Sequence, residues 1–350
     1  MSGKNEPIID EKRTIPEKQS FGTKFLKYAK ANPIVILLTI VCIAVGFTVE
    51  NFFSWGNLSN LIMNTSVRFI IALGVSGCLI TKGTDLSAGR QVGFAACLAG
   101  VLIQKGDYAS RLWKWCPEMN MFVVLLIVLA FGALFGLING LIISRLNVPP
   151  FIATLGTQTI IYGISLVFTD AQPIGGFQKN FIKLITGRIG KTSSFHLPYL
   201  LFVAIFFGVL FWFIYNKTCH GKYMYAIGGN EVAAEVSGVN TRKTTTWIYV
   251  TAGLMYAMAG YLLAAKSGGS SASLGNGYEL EAIAGCTIGG VSTTGGIGTV
   301  SGVLVGVLVF ELLKIVLQFL GVNPYYNYIV QGLVIVVAVA LDIRKYIAKK

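Results

Sequence analysis

Asn120-Met-Phe-Val-Val-Leu-Leu-Ile-Val-Leu-Ala-Phe-Gly-Ala-Leu-Phe-Gly-Leu-Ile-Asn-Gly-Leu-Ile-Ile-Ser144 runs for 25 residues without a charge. As a helix rising ~1.5 Å per residue it exceeds the ~30 Å hydrocarbon core of a bilayer. It is one of a series. Working outward from it, ten apolar stretches are read as crossings: 33–50, 58–81, 88–104, 120–144, 150–169, 198–215, 247–265, 280–292, 297–320 and 324–342. The expected fold is an all-α polytopic membrane protein of about ten transmembrane helices. Composition agrees, with 54% hydrophobic and 12% charged residues and a mean hydropathy of +0.68. A soluble domain is about one quarter charged.

The net charge of +13 follows topology rather than nucleic acid, because the cations sit mainly at the ends of apolar segments and not in one aromatic-laced patch. Seven Lys/Arg fall within the first 30 residues and four within the last seven. Both tails are therefore expected in the cytoplasm, which requires an even number of spans. That orientation places 17 Lys/Arg on the inner side and eight on the outer side, although the outer loop 170–197 holds four of the eight. The polar start has no apolar core followed by a small-residue cleavage site, so the first span is expected to be the insertion signal. The expected organisation is a cytoplasmic tail 1–32, a permease domain 33–342 with a cytoplasmic loop 216–246, and a cytoplasmic tail 343–350. Six cysteines give neither a disulfide framework nor metal-ligand spacing.

Two stretches interrupt the helical pattern: Lys82-Gly-Thr-Asp-Leu-Ser-Ala-Gly89, and the Gly-rich run 287–298 after a crossing that is short at 280–292. Non-helical backbone at membrane depth survives when buried in protein or lining a watery cavity, so both are read as re-entrant candidates, with plain turns at the membrane face as the other reading. Asn147-Val-Pro-Pro-Phe echoes Val322-Asn-Pro-Tyr-Tyr, and Asp85-Leu-Ser-Ala-Gly echoes Glu279-Leu-Glu-Ala-Ile. These echoes suggest a five-plus-five inverted repeat with a substrate route between the halves.

Charges within or beside spans are expensive in lipid and must face protein or water. Glu311 and Lys314, three apart, are expected to neutralise each other. Asp85 and Arg90 either fasten a turn or line a route; Arg68 stays open. Polar residues on the spans suit hydrogen bonding to a neutral polyol, or helix adhesion. The candidate translocation residues are Asp85, Arg90, Gln91, Asn139, Thr154, Gln158 and Glu281. Glycines spaced by four, Gly132, Gly136 and Gly140, and Gly302 with Gly306, indicate close helix packing.

The loop 216–246 has internal order: a turn at Gly228-Gly229-Asn230, then a short helix from Glu231 to Ser237 ended by Gly238, whose small Ala233 and Ala234 suit docking into a partner's groove. Gly221-Lys222 is followed by Tyr223 and lacks the upstream glycine of a phosphate-cradling loop. Any ATP-driven mechanism therefore needs a separate ATPase at the cytoplasmic face. With only His196 and His220, and no clustered His/Cys/Asp set, a membrane enzyme is disfavoured.

Gly83-Thr-Asp-Leu-Ser-Ala-Gly-Arg-Gln-Val-Gly93, Pro150-Phe-Ile-Ala-Thr-Leu-Gly156 and Ala226-Ile-Gly-Gly-Asn-Glu-Val-Ala-Ala-Glu-Val-Ser-Gly-Val-Asn240 resemble motifs of the sugar permease subunits of bacterial ABC importers. Within that family the first motif, Gly321-Val-Asn-Pro-Tyr-Tyr326 and Ala338-Val-Ala-Leu-Asp342 are closer to galactose/methyl-galactoside permeases than to the ribose type. The likeness covers about 33–350 and leaves out the N-terminal tail. It implies a homodimer, two copies of a cytoplasmic ATPase that uses ATP and Mg, a periplasmic or lipid-anchored sugar-binding protein, and residence in the bacterial inner membrane. It implies no cofactor bound by this chain and no nucleic-acid partner. It makes the 226–240 loop a coupling element, carried by Gly228, Gly229, Asn230, Ala233, Ala234, Ser237 and Gly238. The alternative, an ion-coupled sugar symporter, would need a membrane carboxylate that carries protons or sodium: Asp85, Glu281 or Glu311.

Overall fold

A computed structural model describes residues 52–190, 197–323 and 325–347, together with 36, 40 and 43–47. The chain is mainly helical. The tail 1–32 lies outside the described residues, as does the expected span 33–50 except for those seven positions, which are helical. The described helices are α1 (Trp55–Ile80), α2 (Ala88–Ile103), α3 (Met121–Arg145), α4 (Pro150–Thr169), α5 (Lys179–Thr186), α6 (Tyr199–Lys217), α7 (Cys219–Gly229), α8 (Glu231–Val236), α9 (Thr241–Ser267), α10 (Tyr278–Ile288), α11 (Val300–Phe319) and α12 (Tyr326–Ile347). Six are long and apolar enough to cross a membrane: α1, α3, α4, α6, α9 and α11; α2 and residues 328–337 of α12 are shorter apolar helices.

Helix ends coincide with sequence signals. Asn120, Asn230 and Asn240 cap α3, α8 and α9 with their side chains, each meeting an otherwise unpaired backbone N–H. Pro150 opens α4 at the position where a missing N–H costs nothing.

Two expected boundaries shift. The loop 216–246 is largely helical, holding α7 and α8 and the first turns of α9. Thr218 caps α7 through Gly221 N, and the glycines read as a turn, Gly228 and Gly229, close that helix. The expected tail 343–350 begins inside α12, which runs to Ile347. Segment 170–198 carries the short helix α5, which buries Phe181 and Ile185, and a two-residue antiparallel pairing of β1 (Arg188–Ile189) with β2 (Leu197–Pro198).

Helices α1 and α9 are buried on nearly all sides, whereas in α3, α4 and α6 only about a quarter of the residues (22–28%) are buried and the rest, mostly apolar, stay partly or fully exposed. A helix apolar all round belongs in a protein core or in lipid. The α3–α9 seam is closed by glycine: a Cβ on Gly136 would stand 2.3 Å from Tyr249 O, and one on Gly132 2.4 Å from Gly253 O.

Helix partners occur in matched pairs. Helix α9 packs on α2 and α3 as α1 packs on α10 and α11, and α2 meets α4 as α10 meets α12. Connections alternate between two ends of the bundle. Gln104, Lys105, Ile174, Gly176 and Ser270 hydrogen-bond one another or one another's neighbours at one end, and Ile80, Lys82, Gly229 and Gly296 meet at the other.

Segment 268–277 does not stay at its end. It descends beside α2, with Ser270 opposite Gly100, Leu274 opposite Gly93 and Gly275 opposite Gly89. Helix α10, 11 residues and about 16 Å long, thus starts deep in the bundle. This explains why the eighth expected crossing is short: the non-helical backbone before it packs against α2 at the level of Gly89, Gly93 and Gly100.

Candidate functional site

The loop 216–246 is built mainly from α7 and α8. Asn230 Oδ1 accepts from Ala233 N at 3.0 Å, Ser237 Oγ donates to Ala233 O at 2.8 Å, and Gly238 turns the chain out of α8 at φ +86°. Of the two expected docking residues, Ala233 is exposed and Ala234 is buried against the chain itself. The outward apolar pair is Val232 and Val236, 71% and 85% exposed. Their i, i+4 spacing is a helix-face signal that the sequence reading passed over in favour of the alanines.

Behind α8 the loop is tied to two breaks in the bundle. A Cβ on Gly228 would fall 1.8 Å from Ile80 O and 2.5 Å from Gly296 N, so only glycine lets these three backbones meet. Gly296 N donates to Ile80 O at 2.8 Å, Lys82 Nζ to Gly229 O at 3.3 Å, and Tyr225 Oη to Gly298 O at 2.8 Å. Burial raises the Tyr225 phenol above its ordinary value and keeps it a donor. Burial likewise lowers His220, which favours the neutral imidazole beside the loop. The Gly-rich run 289–299 thus touches the end of α1 and the end of α7 at once.

Four candidate route residues come together. Ser87 Oγ donates to Asp85 Oδ1 at 2.6 Å and accepts from Gln91 Nε2 at 2.8 Å and Asn139 Nδ2 at 2.9 Å. Thr154 Oγ1 donates to Thr84 O and accepts from Leu86 N, both at 3.1 Å. Asp85, Ser87, Gln91, Asn139 and Thr154 are all buried. This network pins the 83–88 connection to α3 and α4. Gln91 Oε1, Asn139 Oδ1 and the Tyr249 hydroxyl have no hydrogen-bond partner among the described residues, an unusual concentration of buried polar atoms without one.

The other three are elsewhere. Gln158 is half-buried, one turn beyond Thr154. Arg90 lies over the Tyr162 ring at 4.1 Å and donates to Asn276 Oδ1 at 2.8 Å. Glu281 belongs to an ion cluster. Arg68 Nε meets Glu281 at 2.7 Å and Glu311 at 2.6 Å, and Lys314 Nζ meets the same two at 2.6 and 3.2 Å. Gln331 Nε2 donates to Glu281 at 3.1 Å and Arg68 lies 4.4 Å over Tyr278. The expected Glu311–Lys314 pair exists, but as half of a four-charge set with two cations and two carboxylates. Its members come from α1, α10 and α11, with Arg68 over 200 residues from the other three, so local spacing showed only one edge. Among the described residues there is no group of three or more His, Cys, Asp or Glu placed to hold a metal ion.

A family model described as "Branched-chain amino acid transport system / permease component" matches residues 57–339. The galactose/methyl galactoside import permease protein of Escherichia coli is 47% identical over 93% of this chain and 98% of its own length. That of Haemophilus influenzae is 46% identical over 92% and 96%, and the ribose import permease protein of the same organism 35% identical over 88% and 91%. No solved structure matches the chain. The family match covers most of the chain and the relatives align from near end to near end, so this protein belongs to the family of transport-system permease components.

Proposed function

We propose that this chain is the membrane-spanning subunit of an ATP-driven importer that moves galactose or methyl galactosides, with glucose as a further candidate, across the inner membrane by alternating access. The observation that carries the substrate class is that the relatives at 46–47% identity are all galactose/methyl galactoside permeases, whereas the ribose permeases stand at 35% and 32%, beside the galactose/methyl galactoside permease of Treponema pallidum at 34%. The chain performs no bond chemistry. ATP and Mg are used by a separate ATPase subunit seated on the 226–240 loop, with Val232 and Val236 as its apolar contacts. A sugar-binding protein delivers substrate at the opposite end, and a second copy of this chain completes the pathway. Both termini lie in the cytoplasm, and there are ten spans.

The matched packing of α1–α4 and α9–α12 supports an inverted repeat, each half running opposite to the other. Closure of the ATPase would push α7–α8 against the Ile80–Gly296 junction, and so move α1 and α11 where their helices end. The buried polar set around Asp85, Gln91 and Asn139 then holds the 83–88 break in register while α4 and α12 move.

Uptake of labelled galactose, methyl galactoside and ribose into proteoliposomes, with and without the ATPase, binding protein and ATP, tests the assignment. The expected result is uptake of the first two, requiring all three additions. Ribose uptake at an equal rate would overturn the substrate class.

A further inference from the structure

A groove of about 1080 Å³ runs along the exposed flank of the α3–α9 seam. Its origin is the glycine packing. Gly132, Gly136 and Gly140 draw the two backbones together, and the larger side chains beside them become walls: Leu134, Leu137 and Leu141 from α3, Trp247, Val250 and Leu254 from α9. Ala130 and Ala133 leave room between the walls. The end near the cytoplasmic loop is different, being lined by Arg145, Arg242 and Lys243, all exposed. Among the described residues none of these three has a carboxylate at ion-pair distance. Glu231 and Glu235 lie in a neighbouring cleft that Arg242 also lines.

An apolar trough with three cations at one mouth fits one ligand chemistry. From Arg145 to Ala130 the α3 wall extends about 22 Å, enough for an acyl chain reaching the middle of a ~30 Å hydrocarbon core. Trp247, 52% exposed, sits one turn from the cations, where an indole lies at the membrane interface. We infer that this groove is a binding site for an anionic phospholipid of the cytoplasmic leaflet, acyl chains along the leucines and phosphate at Arg145, Arg242 and Lys243. A second copy of this chain is a poorer occupant, since a partner of net charge +13 brings cations to cations.

Native mass spectrometry of the purified full chain, titrated with phosphatidylglycerol and with phosphatidylethanolamine of the same acyl chains, tests this. Wild type is expected to prefer phosphatidylglycerol. The R145Q/R242Q/K243Q variant is expected to lose that preference, by on the order of a hundredfold in affinity, while R145K/R242K keeps it. A133W, which fills the trough and leaves the cations, is expected to lose tight binding of both lipids. Thermal midpoints of each variant check folding, and should R145Q/R242Q/K243Q not fold, R145Q alone is expected to reduce the preference in part. An unchanged preference in the glutamine variants overturns the site. So does unchanged binding in A133W, or loss of ATPase co-purification in R145Q/R242Q/K243Q with lipid preference intact, which would make the mouth a protein interface.

Discussion

Asp85 and Arg68 show two ways a charge is kept inside an apolar bundle. Asp85 is held by Ser87, whose N–H and hydroxyl both donate to Oδ1 at 3.0 and 2.6 Å. Removing the carboxylate leaves those donors buried without an acceptor, at about 1–3 kcal/mol. Asp85→Ala is therefore expected to lower the thermal midpoint in detergent and to impair transport, and Asp85→Asn, which keeps an acceptor oxygen, to lie close to wild type. Arg68 balances two carboxylates together with Lys314. Arg68→Ala leaves two anions facing one cation, a loss of about 3–5 kcal/mol by analogy with other broken buried pairs. The expected outcome is little folded protein by size-exclusion chromatography; a variant with normal yield and midpoint would show that the cluster is wet and weak. Asp85 was legible as a special residue because an acid in an apolar stretch has few reasons to exist. The network around it was not, since Asn139, which bonds Ser87, and Thr154, which bonds Thr84 O and Leu86 N, lie 54 and 69 positions further along.

At the scale of elements, the glycines carry the architecture. Gly136→Leu places a side chain where Tyr249 O already stands, so α3 and α9 must separate, and the bundle is expected to lose about 1–3 kcal/mol or more. Gly228→Val has the same effect at the α7 junction, and there the expected consequence is functional: the loop can no longer seat on Ile80 and Gly296. Tyr225→Phe is milder, removing only the hydrogen bond to Gly298 O. The account expects ATPase binding to persist and sugar moved per ATP hydrolysed to fall, measured by paired phosphate-release and uptake assays. The Gly-x-x-x-Gly spacing was readable as packing, but which helix it packed on was not. Helix α7 escaped notice because its two terminal glycines read as a turn, whereas here they close a helix whose other face packs against the bundle.

For the whole molecule, hydrophobic length and charge placement located the long apolar helices, most of them to within a few residues, but not the short helices α5 and α7 or the full extent of α9 and α12. That accuracy reflects the bilayer's demand for satisfied backbone over ~20 residues at a time. The descent of 268–277 beside α2 was hidden, because Gly- and Ser-rich sequence looks the same in a loop at the membrane face as in one packed along a helix. The proposed orientation makes a direct expectation. Cys219 is exposed on the loop end, whereas Cys78, Cys97, Cys116 and Cys286 are buried. A membrane-impermeant maleimide is expected to label it in inside-out but not right-side-out vesicles. Trp115→Cys in a Cys219→Ser background should label with the opposite preference.

The central claim, that this chain is a passive pathway driven through its 226–240 loop, is tested most directly by methyl galactoside uptake into proteoliposomes holding the ATPase, the binding protein and ATP, comparing wild type with V232D/V236D. Both valines are exposed, so the variant is expected to fold. ATP-dependent uptake is expected from wild type and none from the variant, which also fails to retain the ATPase. Full uptake by V232D/V236D, or uptake by the chain alone under an imposed ion gradient, would contradict it.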